Sequence, residues 1–307
     1  MGVLKDIDCG YVSSAYTVWD ITSSEILPEY LELVLLSDFS LEYFNICYTG
    51  TVKRRGNVPK DLFLKLKIPL PDKNKQHTVV DMMKTISNIK NRVVNFDKLI
   101  YGLNQSVYLS FIEKERFLKL TDVAKVSIGQ SPKKSDFVCE ANLKTMPFYQ
   151  GTSDFGKIFT KEGRRTAISP RVTGKGNLLL TVREPIGELN ITHTKCGYGR
   201  GLAAISPIDG LSNTPYLYSS IKYIKNQLPL GDGIIRSLNM KHINSVKIPE
   251  MSISDQNIFL ILFDKILQLM VIIAKMNSVL DILHKTLYAQ HFNIYQMNGQ
   301  IELQCEQ

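Results

Sequence analysis

With 307 residues and 44% hydrophobic side chains, the chain can bury two or three cores, which excludes disorder as its default state. Thirty-seven Lys and Arg against 29 Asp and Glu leave a formal charge of +8, which favours a polyanionic partner, nucleic acid foremost. Cys9, Cys47, Cys139, Cys196 and Cys305 lie far apart without a CxxC pair, which argues against a disulfide frame or a zinc site and for reduced thiols.

The first residues, MGVLKDIDCG, lack the charged and apolar regions of a signal peptide. Within residues 1–70 the run Lys53-Arg54-Arg55, followed by Gly56, is the candidate phosphate contact. KIPLPDKNKQ (67–76) then opens a segment whose apolar residues step by three and four alternately: Val79, Met82, Ile86, Ile89, Val93, Phe96, Ile100, Leu103 and Val107. That spacing predicts one long helix with an apolar seam, about 42 Å over these nine positions.

Residues 118–250 alternate short strand-like runs with Gly and Pro, which predicts an α+β domain with a substantial sheet. Its loops carry Lys157, Lys161, Arg164, Arg165, Arg171, Lys175, Arg183 and Arg200, with Tyr149, Phe155 and Phe159 interleaved. Arginine suits DNA because its planar fork grips a phosphate or the O6/N7 edge of guanine, and Gln150 can pair bidentately with adenine. The candidate DNA-binding residues are therefore Tyr149, Gln150, Lys157, Arg164, Arg165, Arg171, Lys175 and Arg183, with Lys53, Arg54 and Arg55 from the first segment. A solvated basic face over core aromatics is the alternative reading. For Arg183 and Arg200, inside strand-like runs, a structural role satisfying buried carbonyls or carboxylates is also open.

KIPEMSISDQ (247–256) repeats KIPLPDKNKQ at an offset of 180, and a second seam follows at the same offset: Phe259, Leu262, Ile266, Leu269, Ile273, Met276, Leu280, Leu283 and Leu287. Two matched seams predict two long helices packed on each other as an antiparallel coiled coil. The repeat reaches upstream: Cys9-Gly10-Tyr11 matches Cys196-Gly197-Tyr198, and ILPEYLELVL (26–35) pairs with NTPYLYSSIK (213–222). The first unit has almost nothing before Cys9 to match the stretch that starts near Phe117. The most apolar run, Ile258 to Ile273, is interrupted by Asp264, Lys265 and Gln268; it is expected to be too short and too charged to span a bilayer, so no membrane association and a cytoplasmic location are expected.

Catalytic motifs are missing. Asn213-Thr214-Pro215-Tyr216 lacks the second proline of a methyltransferase motif and reads better as a helix start. Gly174-Lys175-Gly176 lacks the upstream glycine and hydroxyl residue of a phosphate loop. His77, His193, His242, His284 and His291 form no recognisable ligand set. No catalytic residue, metal or cofactor is expected, and the chain reads as a non-enzyme.

SIGQSP, PFYQGTSDFG, LLLTVREPIGELNI, GRGLAAI and the KIP segment before a heptad helix together resemble the specificity subunits of type I restriction-modification systems. The resemblance implies target-recognition domains that each read half of a split site on double-stranded DNA. It also implies long helices that space them and dock the methyltransferase (modification) subunits, two in number. A restriction (translocase/nuclease) subunit joins the same complex, and the complex as a whole is then the endonuclease and adenine methyltransferase. On this basis residues 1–70 are a partial first target-recognition domain, 71–117 the central spacer helix, 118–250 a complete second recognition domain and 251–307 the C-terminal helix. A homodimer using one full domain twice is a further arrangement. A divergent methyltransferase or nuclease, and a scaffold that does not read DNA, are the alternative functions.

Overall fold

The computed structural model describes residues 2–3, 10–13, 16–47, 58–138, 145–230, 237–293 and 300–302. Lys53, Arg54, Arg55, Cys9, Cys139 and Cys305 lie outside these. In chain order the described elements begin with helices α1 (Pro28–Leu35), α2 (Asp38–Cys47) and α3 (Lys60–Leu64), strand β1 (Lys67–Pro69) and helix α4 (Lys73–Phe111). The middle holds β2 (Glu113–Lys119), α5 (Leu120–Val123), β3 (Ala124–Ile128), β4 (Phe137–Val138), β5 (Met146–Tyr149), β6 (Arg164–Thr166) and β7 (Val172–Thr173). It continues through β8 (Leu178–Thr181), β9 (Leu189–Ile191), β10 (Cys196–Tyr198), β11 (Leu202–Pro207), α6 (Thr214–Tyr223) and α7 (Met240–Ser245). Last come β12 (Lys247–Glu250), α8 (Ile253–Asn293) and β13 (Gln300–Glu302). The chain divides into one unit of residues 1–98 with 271–307 and a second of residues 99–270.

In the first unit, Tyr30 and Val34 of α1 and Val79, Val80, Met83 and Ile86 of α4 form a core with Leu66 and Ile68, against which Leu287 and Tyr288 of α8 pack. Lys90 is paired with Asp281 at 2.7 Å. The start of α4 thus meets the end of α8. In the second unit the sense is the same: Tyr108 and Phe111 near the end of α4 meet Phe259 near the start of α8, at ring distances of 5.8 and 6.2 Å. Each unit therefore contains an antiparallel helix pair, as the two seams predict.

The seam itself is rotated from the expected one. Val79, Ile86, Val93 and Ile100 are buried as expected, but Ile89, Phe96 and Leu103 are 40, 60 and 46% exposed. Met83, Lys90, Asp97 and Asn104 take the inward positions, giving steps of four then three. On α8, Phe259, Phe263, Ile266 and Ile273 are buried while Leu262, Leu269, Met276 and Leu283 are exposed. Each helix carries more apolar residues than one partner can cover, so α8 keeps a second apolar face: Ile261 and Ile272 with Val279 and Ile282 are each more than half exposed. By length and composition α8 would also suffice to cross a bilayer, with a mean hydropathy of 2.0 over one 18-residue window. Asp264, Lys265 and Gln268 do not shorten it as the sequence reading supposed.

The second unit is built on two sheets. In the antiparallel sheet β3-β11-β8-β9, strands β8 and β9 and most of β11 are buried on both faces. Leu178 and Leu180 join Ala203 and Ile205 in the core under α6, while Leu179 joins Leu202, Ala204, Tyr149 and Tyr198 on the other side. Alternate side chains point to opposite faces, so an uninterrupted Leu-Leu-Leu run is what a doubly covered strand needs. The second sheet has the order β4-β6-β5-β10-β7, with β10 parallel to β5 and the other pairs antiparallel.

The strands before the long helices are used alike in both units. β1 pairs antiparallel with β13, which follows α8, and β12 pairs antiparallel with β2, which follows α4.

Candidate nucleic-acid interface

The basic side chains of the second unit are carried by strand ends and turns. Arg164 and Arg165 lie on β6, opposite Phe148 and Pro147 of β5. Arg164 is exposed. Arg165 is half-buried and its guanidinium is engaged: Nε donates to Thr145 Oγ1 at 2.9 Å and a terminal nitrogen to the Thr145 carbonyl at 2.8 Å. Arg171, exposed, precedes the edge strand β7 of the same sheet, and its carbonyl accepts from Tyr198 N–H at 3.3 Å. Lys157 is exposed in a turn closed by Gly156 N–H to Phe159 O at 3.0 Å. Lys175 is exposed in the turn before β8, next to Gly176, whose φ of +82° is the left-handed region.

Tyr149 is a correction to the sequence reading. It is 2% exposed, packs in the core between the sheets, and its hydroxyl donates to the Lys161 carbonyl at 2.9 Å. Burial pushes its pKa up. Neither ring nor hydroxyl is presented to a ligand. Its neighbour Gln150 is exposed at the end of β5, where the strand alternation turns it outward.

Gln150 and Arg183 come together. They line a cavity of about 410 Å³ with Ser131, Gly151, Thr152, Thr181, Glu184, Pro185, Arg200 and Gly201. Backbone hydrogen bonds hold its walls: Gly199 N–H to Tyr149 O at 2.8 Å and Val182 N–H to Gly201 O at 2.9 Å join three of the four contributing segments. Asp154 fixes the Gln150 turn, its carboxylate accepting from the N–H of Gln150 at 2.6 Å and of Gly151 at 3.3 Å. Thr181 fixes the other wall, donating to the Pro185 carbonyl at 2.6 Å and accepting from Glu188 N–H at 2.9 Å. Gly201 has to be glycine, because a Cβ there would lie 2.5 Å from the Gln150 carbonyl.

Two further members of this cavity are Ser131, which the sequence reading did not single out, and Arg200, which it named among the basic loop residues but left out of the candidate contacts. Arg200 is exposed and sits in a turn closed by Leu202 N–H to Gly199 O at 3.0 Å, not inside a strand. The glycines on either side of it were the available sign of a turn. Arg183 is likewise exposed, one residue beyond the buried Val182. Among the described residues neither arginine's side chain has a hydrogen-bond or ion-pair partner, so the structural alternative for both is set aside. Among the described residues there is also no group of three or more His, Cys, Asp or Glu able to hold a metal. Cys196 is buried, with its thiol pushed up to about 12 by desolvation, and is an inert core residue.

Comparison with known proteins agrees with this architecture. A Methanocaldococcus jannaschii protein described as the type I restriction enzyme MjaX specificity subunit is 24% identical over 256 residues, which is 76% of this chain. The chain spans 60% of that relative's length. Among solved structures, a chain from a type I R-M system studied for complex assembly and conformational transition superposes with a TM-score of 0.61 at 23% identity, covering 86% of this chain and 70% of that one. The type I restriction-modification S subunit from M. genitalium gives 0.55 at 17% identity, covering 87% and 73%. The fold is shared with both. Residues 113–279, more than half of the chain, match the family model for the type I restriction modification DNA specificity domain. The chain belongs to that family.

Proposed function

We propose that this chain is a DNA-reading specificity subunit of a type I restriction-modification complex and performs no chemistry itself. The observation that carries the reading is the family match, which covers the whole of β2 to β12 and continues into α8. Exposed Arg164, Arg171, Lys175 and Arg183 supply the cationic contacts that position a protein on double-stranded DNA. Methyltransferase subunits, two of them, dock on the apolar face that α8 leaves open, and a restriction subunit completes the complex. Such an assembly works in the cytoplasm, where its DNA is. An apolar helix face this extensive needs a partner, protein or lipid, and the adaptor role assigns it to protein.

The test is co-expression with a modification subunit, followed by sequencing of methylated sites in genomic DNA with and without this chain. A discrete motif that vanishes without the chain supports the reading. A palindromic motif means one recognition domain used twice, and an asymmetric split motif means two readers. S-adenosylmethionine binding or DNA cleavage by the isolated chain would favour an enzyme instead. Recovery in the membrane fraction despite co-expressed modification subunit would assign α8 to lipid.

A further inference from the structure

The cavity lined by Arg183 and Arg200 has the chemistry of an anion seat. Two guanidinium groups face it without a partner among the described residues, each with up to five donors to satisfy. Glu184 is the one carboxylate on its wall. Asp154, the nearest other acid in sequence, already accepts from two backbone N–H groups. Glu188 is paired with Lys225. The hydroxyls of Ser131 and Thr152 add donors that carry no base preference.

The seat is also stiff. The Arg183 segment is bonded to the Arg200 segment through Val182 N–H and Gly201 O at 2.9 Å. Beyond it, Gln130 N–H donates to Tyr198 O at 3.1 Å, which ties the Ser131 segment to the same strand end. Two rigid forks held on a bonded frame suit the fixed geometry of a phosphate.

The geometry points to a phosphodiester seat: Arg183 and Arg200 clamp one backbone phosphate of double-stranded DNA, anchoring the recognition domain independently of sequence, with Gln150 on the rim toward the adjoining bases. This rests on the DNA-reading function above and adds to it a named anchor, including Arg200, distinct from base readout.

The experiment is fluorescence anisotropy of a random-sequence DNA duplex titrated with the full chain over a range of salt. Arg183→Gln and Arg200→Gln are each expected to weaken binding about tenfold and to lower the slope of log affinity against log salt by about 1. Arg200→Lys keeps the charge but not the fork, so it should restore the slope and recover only part of the affinity. Arg116→Gln is the charge-matched control, since Arg116 is paired with Glu113 and Glu250 on β2 and β12. Thermal melting of every variant reports folding. Loss no greater than that of Arg116→Gln overturns the anchor. Loss confined to the methylated motif, with random DNA unaffected, overturns it in favour of base reading. A wild-type chain that binds no duplex removes the DNA-reading conclusion itself, and the anchor with it.

Discussion

Gln76 and Gln256 make the same three hydrogen bonds in the two units. Gln76 donates to the Pro71 carbonyl at 2.8 Å and the Glu25 carbonyl at 2.9 Å, and accepts from Leu27 N–H at 2.8 Å. Gln256 donates to the Met251 and Leu211 carbonyls at 3.0 and 3.2 Å and accepts from Asn213 N–H at 3.1 Å. Tyr30 and Tyr216 complete the match, their hydroxyls donating to the carbonyls of Pro69 and Pro249. A short polar latch thus ties the first turn of each long helix to the segment that precedes a smaller helix.

Gln76→Leu and Gln256→Leu should each destabilise the chain by about 2 kcal/mol, because each strands one buried carbonyl together with a part-buried carbonyl and N–H. Denaturant unfolding followed by circular dichroism checks this. A change under about 1 kcal/mol in both would show that water replaces the amide at no cost.

The rotated seam separates two kinds of substitution. Ile86→Asp and Ile266→Asp bury a charge at positions 5% exposed and should cost more than about 3 kcal/mol. Ile272→Asp and Val279→Asp, on the open face, should leave the melting temperature within a few degrees of wild type yet abolish capture of the modification subunit. Unfolding of the second pair, or retained capture, would contradict the assignment of the faces.

Arg164→Glu and Arg165→Glu were indistinguishable in sequence but differ in the fold. Reversal at exposed Arg164 should weaken DNA binding several-fold with stability unchanged. Reversal at Arg165 also removes two hydrogen bonds to Thr145, so it should lower stability by about 1–2 kcal/mol as well. Equal affinity in both variants would exclude β6 from the DNA contact.

His284 provides a pH test. Its pKa is lowered below 6.5, chiefly by burial and then by Lys90, with Asp281 opposing; its ring also lies 4.8 Å from that of Tyr288. The unfolded chain therefore binds the proton more readily than the folded one. Its contribution is fully present above pH 6.5 and is lost as pH falls below that value. Asp281, held low by Lys90, loses its contribution only at pH values near and below 3.8. His284→Gln should flatten the stability profile between pH 7 and 5, and an unchanged profile would remove His284 as its source.

Much of the architecture was legible because it rests on period and repetition. The KIP repeat marked where both long helices begin, and the matched apolar steps after it marked two helices built to pack on each other. The rotation of the seam was hidden because the inward residues Lys90, Asp97 and Asn104 are polar while Phe96 and Leu103 point out; counting apolar residues selects the wrong flank. Upstream, aligning Pro28 with Pro215 gave an offset of 187, whereas the latch equates Leu27 with Asn213 and Tyr30 with Tyr216, an offset of 186. Pro is tolerated at either of the first two helical positions, so it is a poor register mark. At the interface, Tyr149 and Gln150 are adjacent, and only the strand's alternation decides which one faces out.

The pairing of Lys119 with Lys247 across β2 and β12 has an evolutionary consequence. Everything between them leaves the framework on one strand and returns on its immediate neighbour. A segment with adjacent ends can be cut out and a foreign one grafted in without moving the framework that holds it. The inserted segment can then be exchanged as one block, carrying its two-sheet core with it, where piecemeal substitution would have to repack that core residue by residue.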